Sequence, residues 1–81
     1  MLLEIISPDK KLFSGEVISL NVPGSKDPFM ILNNHAPIIS TLEKGIIKIL
    51  EKDGKISTFE VEGGVIEAKN NKIIVLAENA I

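Results

Sequence analysis

The chain has one histidine, no cysteine, and nine cationic side chains that are all lysine. These facts bound the chemistry open to it. A zinc site draws on several imidazoles or thiolates, and His35 stands alone. Without arginine, neither a bidentate phosphate clamp nor an arginine finger can be built. Ser7, Ser14, Ser19, Ser25, Ser40 and Ser57 lie in no nucleophile-elbow context. There is no Walker motif, and the one glycine pair, Gly63-Gly64, is followed by no helical pattern that would bind an anion. Glu60 and Glu62 fall on one face of an extended segment, where paired carboxylates could do acid–base work. A solvated strand face accounts for them more simply. His35 follows Asn33-Asn34 and precedes Pro37, so a turn histidine bonded to nearby backbone is expected, with a pH-sensitive contact as the sharper alternative. The residues therefore imply no catalytic group, no metal and no cofactor.

Whatever these residues do must be positioned by a small scaffold. Eighty-one residues allow one domain, 1–81, which buries only about 60% of its unfolded surface. With no disulfide to staple it, the 44% hydrophobic fraction must carry the fold. Fourteen isoleucines bias that fraction toward strands. The net charge of −2, with only Phe13, Phe29 and Phe59 as aromatics, offers neither a basic stripe nor stacking platforms for nucleic acid. The start, Met1-Leu2-Leu3-Glu4, lacks a basic region and is no signal peptide. No apolar run approaches the roughly 20 residues of a membrane-spanning helix, so no direct membrane insertion is expected. The expectation is a cytosolic protein, able to sit beside a membrane through a partner.

Strand signals run from end to end. Leu2 to Ile6 ends at Ser7-Pro8-Asp9, and Gly15 punctuates the next stretch. Alternation in Glu16 to Val22 puts Ile18, Leu20 and Val22 on one face and Val17, Ser19 and Asn21 on the other. Gly45 to Glu51 and Ile56 to Glu62 flank Asp53-Gly54, which predicts a type I′ hairpin. Gly63-Gly64 predicts a kink or bulge. Val65 to Lys69 and Lys72 to Ala77 flank Asn70-Asn71, a second tight hairpin. Only the tail, Ala77 to Ile81, has helix-former character. The pattern implies an all-β sandwich or barrel.

Two features exceed an ordinary small sandwich. Val22 to Leu42 is too apolar for a solvated loop and too punctuated for one strand, which suggests a presented surface. Ile46 and Leu50 oppose Ile47 and Ile49, and Val65 to Ala68 and Ile73 to Leu76 are apolar on both faces. Such strands carry either ordinary surface aliphatics or a face covered by a partner. Val65-Ile66-Glu67-Ala68-Lys69 is similar to the modified-lysine hairpin of biotinyl carrier domains, but the flanking methionines of that family are replaced by Ala68 and Asn70. A stand-alone β binding or prosthetic-group carrier module is the alternative this leaves open.

Three ordered blocks carry a closer likeness. They are Ser7 to Val17 (SPDKKLFSGEV); Val22-Pro23-Gly24 with Phe29-x-Ile31-Leu32-x-x-His35-Ala36-Pro37 and Leu42-x-x-Gly45; and Gly63 to Ala68 with Asn71 to Ala77. In order and spacing the chain resembles the N-terminal β domain of the epsilon subunit of F-type ATP synthases. It departs from that family at Met30, where glycine is usual, at Asn33-Asn34, where Pro-Gly precedes the histidine, and at Pro28. The resemblance implies a β-sandwich of two five-stranded sheets. It also implies a non-catalytic subunit of the central rotor, peripheral on the cytoplasmic face of the inner (plasma) membrane. There it would couple proton-driven rotation to ATP synthesis, its partners being the γ subunit and the c-ring. The c-ring contact is expected at Gly24, Ser25, Lys26, Asp27, Pro28, Phe29, Met30 and Ile31. The γ contact is expected at His35, Ala36, Pro37, Ile38 and Ser40, with Val75, Ala77 and Asn79 from the last strand. Many family members continue into a C-terminal helical hairpin. The sequence stops at Ile81, so a naturally short form is expected, with no nucleotide bound and no extendable inhibitor.

Overall fold

The computed structural model describes residues 1–79. Among them are eight strands and no helix. These are β1 (Leu2–Ile6), β2 (Lys11–Val22), β3 (Phe29–Leu32), β4 (Ile38–Leu42), β5 (Gly45–Glu51), β6 (Ile56–Val61), β7 (Gly63–Lys69) and β8 (Lys72–Glu78). The Val22–Leu42 stretch thus contains two short strands where the sequence suggested a semi-regular connection. The tail's helical character is not realised at Ala77 and Glu78, which belong to β8; Ala80 and Ile81 lie outside the described residues.

The strands form a sandwich whose two sheets share β2. The first sheet runs β4-β7-β8-β1-β2 and uses the N-terminal half of β2. The second runs β3-β2-β5-β6 and uses its C-terminal half. The all-β sandwich is as expected. The sheets hold five and four strands, counting β2 in both, instead of five each. The missing strand has a local cause. β4 pairs along its length with β7 and meets only the chain just past β2, through a Gly24–Leu42 bridge.

A bulge lets β2 serve both layers. Opposite β5, the register shifts between Val17 and Ser19. One extra residue inverts the alternation. Val17 is therefore buried together with Leu20 and Val22, while Ile18 turns out to solvent at 47% exposure. Straight alternation assigned Val17 and Ile18 to the opposite faces, and the bulge corrects both. From the two inner faces Leu3, Ile5, Ile66, Ile73 and Val75 meet Leu20, Ile31, Ile47 and Ile49, all essentially inaccessible. Phe13 and Phe59 close one side of this core edge-to-face, centroids 6.3 Å apart at 72°.

The turns set the registers. Asn70 and Asn71 both have positive φ (52° and 59°), and Lys69 pairs with Lys72, giving the tight two-residue hairpin expected. The β5–β6 connection differs from expectation. Gly54 N–H donates to Glu51 O at 2.9 Å, and Glu51 N–H donates to Lys55 O at 2.8 Å. Only Gly54 has positive φ (92°), so the loop is three residues ending in a left-handed glycine, not a type I′ pair. Gly63-Gly64 makes no bulge, since β7 and β8 stay in register from Gly63–Glu78 to Lys69–Lys72.

Candidate docking surface

The loop after β2 is stitched to the end of β4. Ser25 N–H donates to Thr41 O at 3.0 Å, Thr41 Oγ1–H donates to Ser25 Oγ at 2.8 Å, and Glu43 N–H donates to Pro23 O at 2.9 Å. These bonds fold the loop against the edge strand, so Ser25, Lys26, Asp27 and Phe29 share a shallow trough with Ile38, Ile39, Ser40 and Thr41. Of the residues expected at the c-ring, Ser25 to Pro28 and Met30 are exposed and Phe29 is half-buried against the core. Gly24 and Ile31 are buried, and they anchor the loop instead of presenting it.

His35 sits in a turn closed by its own N–H to Leu32 O at 3.2 Å, with Asn34 at φ 60°. Its Nδ1 lies 2.7 Å from Ala36 O, the backbone-bonded turn histidine that the flanking residues suggested. Ala36 and Pro37 are exposed, while Ile38 and Ser40 are half-buried. Val75 and Ala77 face the core and offer no surface. Asn79 is exposed but lines a separate cleft with Lys44, Ile46 and Glu60. The fold thus joins the 25–30 loop to the 36–40 segment and leaves the expected β8 residues out of that surface.

Sequence reasoning marked β7 and β8 as apolar on both faces, with a partner-covered face as one reading, but assigned none of their outward side chains to the site. On the first sheet, register pairs Val65 with Leu76 and Leu76 with Ile6, making an apolar row across three strands. Ile74 and Glu67 follow one row down, and Ile39 pairs with Glu67 at the edge. Ile39 is 71% exposed, Leu76 53% and Val65 38%. The apolar character of β7 and β8 on both faces was the available signal. The second sheet also turns apolar residues outward, with Leu32, Ile56 and half-buried Leu50 in one row and Met30 and Ile46 nearby. Buried among that face is Asn21 Oδ1, which has no hydrogen-bond partner.

Charged side chains interleave with these faces, Glu67 and Glu4 flanking Ile74 on the first sheet and Glu60 pairing with Ile46 on the second. Lys11 Nζ lies 2.9 Å from Glu4 Oε2, and its hydrogen bond and then its positive charge hold the Glu4 carboxyl below its ordinary value. No group of three metal-ligating side chains occurs among the described residues. What the geometry offers is apolar contact area and a polar-rimmed loop, the chemistry of association.

A family model described as the ATP synthase delta/epsilon chain β-sandwich domain matches residues 1–81. An ATP synthase epsilon chain of Leptospira interrogans is 48% identical over 77 residues, which are 95% of this chain and 60% of that relative. The chain therefore spans about three-fifths of that protein's length. An ATP synthase epsilon chain of Chlorobium limicola is 39% identical over 77 residues, 95% of this chain and 88% of the relative. Among solved structures, a chain of the Euglena gracilis mitochondrial ATP synthase (OSCP/F1/c-ring) superposes with a TM-score of 0.93 at 17% identity, covering all of this chain and 52% of that one. A chain of the Tetrahymena thermophila mitochondrial ATP synthase central stalk and c-ring gives 0.81 at 18% identity, covering 100% and 65%. At such identities the likeness is one of fold.

Proposed function

Since the chain belongs to the ATP synthase delta/epsilon β-sandwich family, we propose that it is a non-catalytic rotor component. In this reading it docks on the γ subunit and the c-ring of a membrane-bound ATP synthase and helps couple proton-driven rotation to ATP synthesis. It is peripheral on the cytoplasmic face of the membrane and binds no nucleotide through the described residues. The observation that carries the reading is the outward apolar row Val65–Leu76–Ile6, with Ile39 exposed beside Glu67 in the next row. A monomer gains nothing from such a face, whereas a partner that covers it gains burial free energy. We assign γ to this face and to the adjoining His35–Ser40 segment. The c-ring is assigned to the exposed loop Ser25–Met30, whose own Lys26 and Asp27 suit a polar partner loop. The carrier alternative built on Lys69 gives way to family membership.

The test is reconstitution with an ATP synthase stripped of this subunit. The wild-type chain is expected to co-purify with γ and c. Ile39→Lys with Leu76→Lys should keep the wild-type circular dichroism, because both side chains already face water, and lose γ association by at least about tenfold. Met30→Asp should weaken c-ring contact while γ binding persists. Undiminished γ binding by the folded double variant would overturn the face assignment. Failure of the wild type to bind either subunit would overturn the function.

A further inference from the structure

We propose that Asn71 is a positioning residue for the His35 turn, through a clamp between the chain's two Asn-Asn turns. The docking consequence rests on the function proposed above; the geometry of the clamp does not.

The turn Leu32-Asn33-Asn34-His35 is weakly determined by its own sequence. Its third residue, Asn34, needs a left-handed conformation, and asparagine tolerates this without favouring it as glycine does. Its second residue, Asn33, lacks the fixed φ that proline would supply. A Pro-Gly pair would hold such a turn unaided. Here the order comes from the side. The Asn71 carboxamide donates from Nδ2 to Asn33 Oδ1 at 2.9 Å and accepts at Oδ1 from the Asn34 N–H at 2.8 Å. Reversing the amide would set oxygen against oxygen and donor against donor, so the pair fixes its orientation.

The clamp is mounted on a firm base. Asn71 occupies the β7–β8 hairpin at φ 59°, and its carbonyl accepts the Leu2 N–H at 3.1 Å from β1. Asn33 Oδ1 also lies 3.4 Å from the Met1 nitrogen. Three strands of the first sheet therefore hold the turn by which the chain leaves β3 of the second. That turn sets the direction in which His35, Ala36 and Pro37 enter the docking edge. Without the clamp the turn would sample other conformers, and docking would bear the entropy of ordering it.

Amide hydrogen exchange on the full chain tests the clamp directly. Asn71→Gly keeps the left-handed hairpin position and removes the side chain that carries the carboxamide. The Asn34 amide should then exchange about three- to tenfold faster, while Ile73 and Val75 in β8 keep their protection. Asn71→Asp retains the acceptor for Asn34 and should preserve most of that protection. In reconstitution, Asn71→Gly should weaken γ association, and Asn33→Pro with Asn34→Gly in the same background should restore it, since the turn then holds itself. An Asn34 amide that exchanges at the same rate in wild type and Asn71→Gly overturns the clamp. Faster exchange with unchanged γ association, or no rescue by the Pro-Gly pair, overturns the positioning role. If Ile39→Lys with Leu76→Lys also leaves γ association intact, the docking assignment has failed and the exchange result stands on its own.

Discussion

A Cβ added to Gly64 would collide with the Leu76 carbonyl oxygen, and the φ of 149° is one that side-chain-bearing residues rarely adopt. Gly64→Ala is expected to destabilise the fold by about 2–5 kcal/mol, read as a lowered urea midpoint with an unchanged slope. The sequence marked this glycine pair as special but suggested a bulge, because the close approach of β8 comes from a partner strand that no local pattern reveals. Glu4 is a second residue with a directional consequence. Its carboxyl is held below its ordinary value by Lys11, so the pair contributes stability above the unfolded carboxyl range and loses it as pH falls through the folded value. NMR titration should place the Glu4 midpoint below 4.5 and return it toward that value in Lys11→Met. His35 was legible as a turn histidine from its neighbours. The role of Asn71 was not, since the turn it supports lies on a distant segment.

Among the elements, β2 separates what periodicity can read from what it cannot. Alternation located the strand and put Leu20 and Val22 inward, as found. It failed at Val17 and Ile18 because a bulge inserts a residue where the strand leaves one sheet for the other. The two readings predict opposite outcomes for one pair of substitutions. Ile18→Asp should leave the thermal midpoint within a few degrees of wild type, whereas Val17→Asp, which buries a charge, should unfold the domain or cost about 3 kcal/mol or more. Circular dichroism melts decide it. The Asn70-Asn71 hairpin was legible because turn chemistry is local. The Asp53-Gly54 turn was located correctly, but its loop is longer by one residue, a difference that depends on how β5 and β6 pair.

At the scale of the whole molecule, composition and turn spacing sufficed for an all-β fold, and the ordered blocks for its family. The division into five and four strands was not legible, because it depends on one strand being counted in both sheets. The loop and edge expected to dock do adjoin, yet Val75 and Ala77 were misplaced as surface because both faces of β8 are apolar and only one is outward. A small sandwich with apolar outer faces should be markedly more stable in its complex. Its thermal midpoint should rise on binding γ by an amount that grows with γ concentration. The pairing of β1 with β8 has a further consequence. Leu2 lies beside Lys72 and Ile6 beside Leu76 in a parallel ladder, so β1 waits for β8 to be synthesised before its sheet can close. Closure then follows the appearance of β8, on the order of milliseconds to seconds later, as expected for pairings so distant in sequence. Nascent chains stalled with β8 still in the exit tunnel should be cut readily by protease, and should become resistant once that strand emerges.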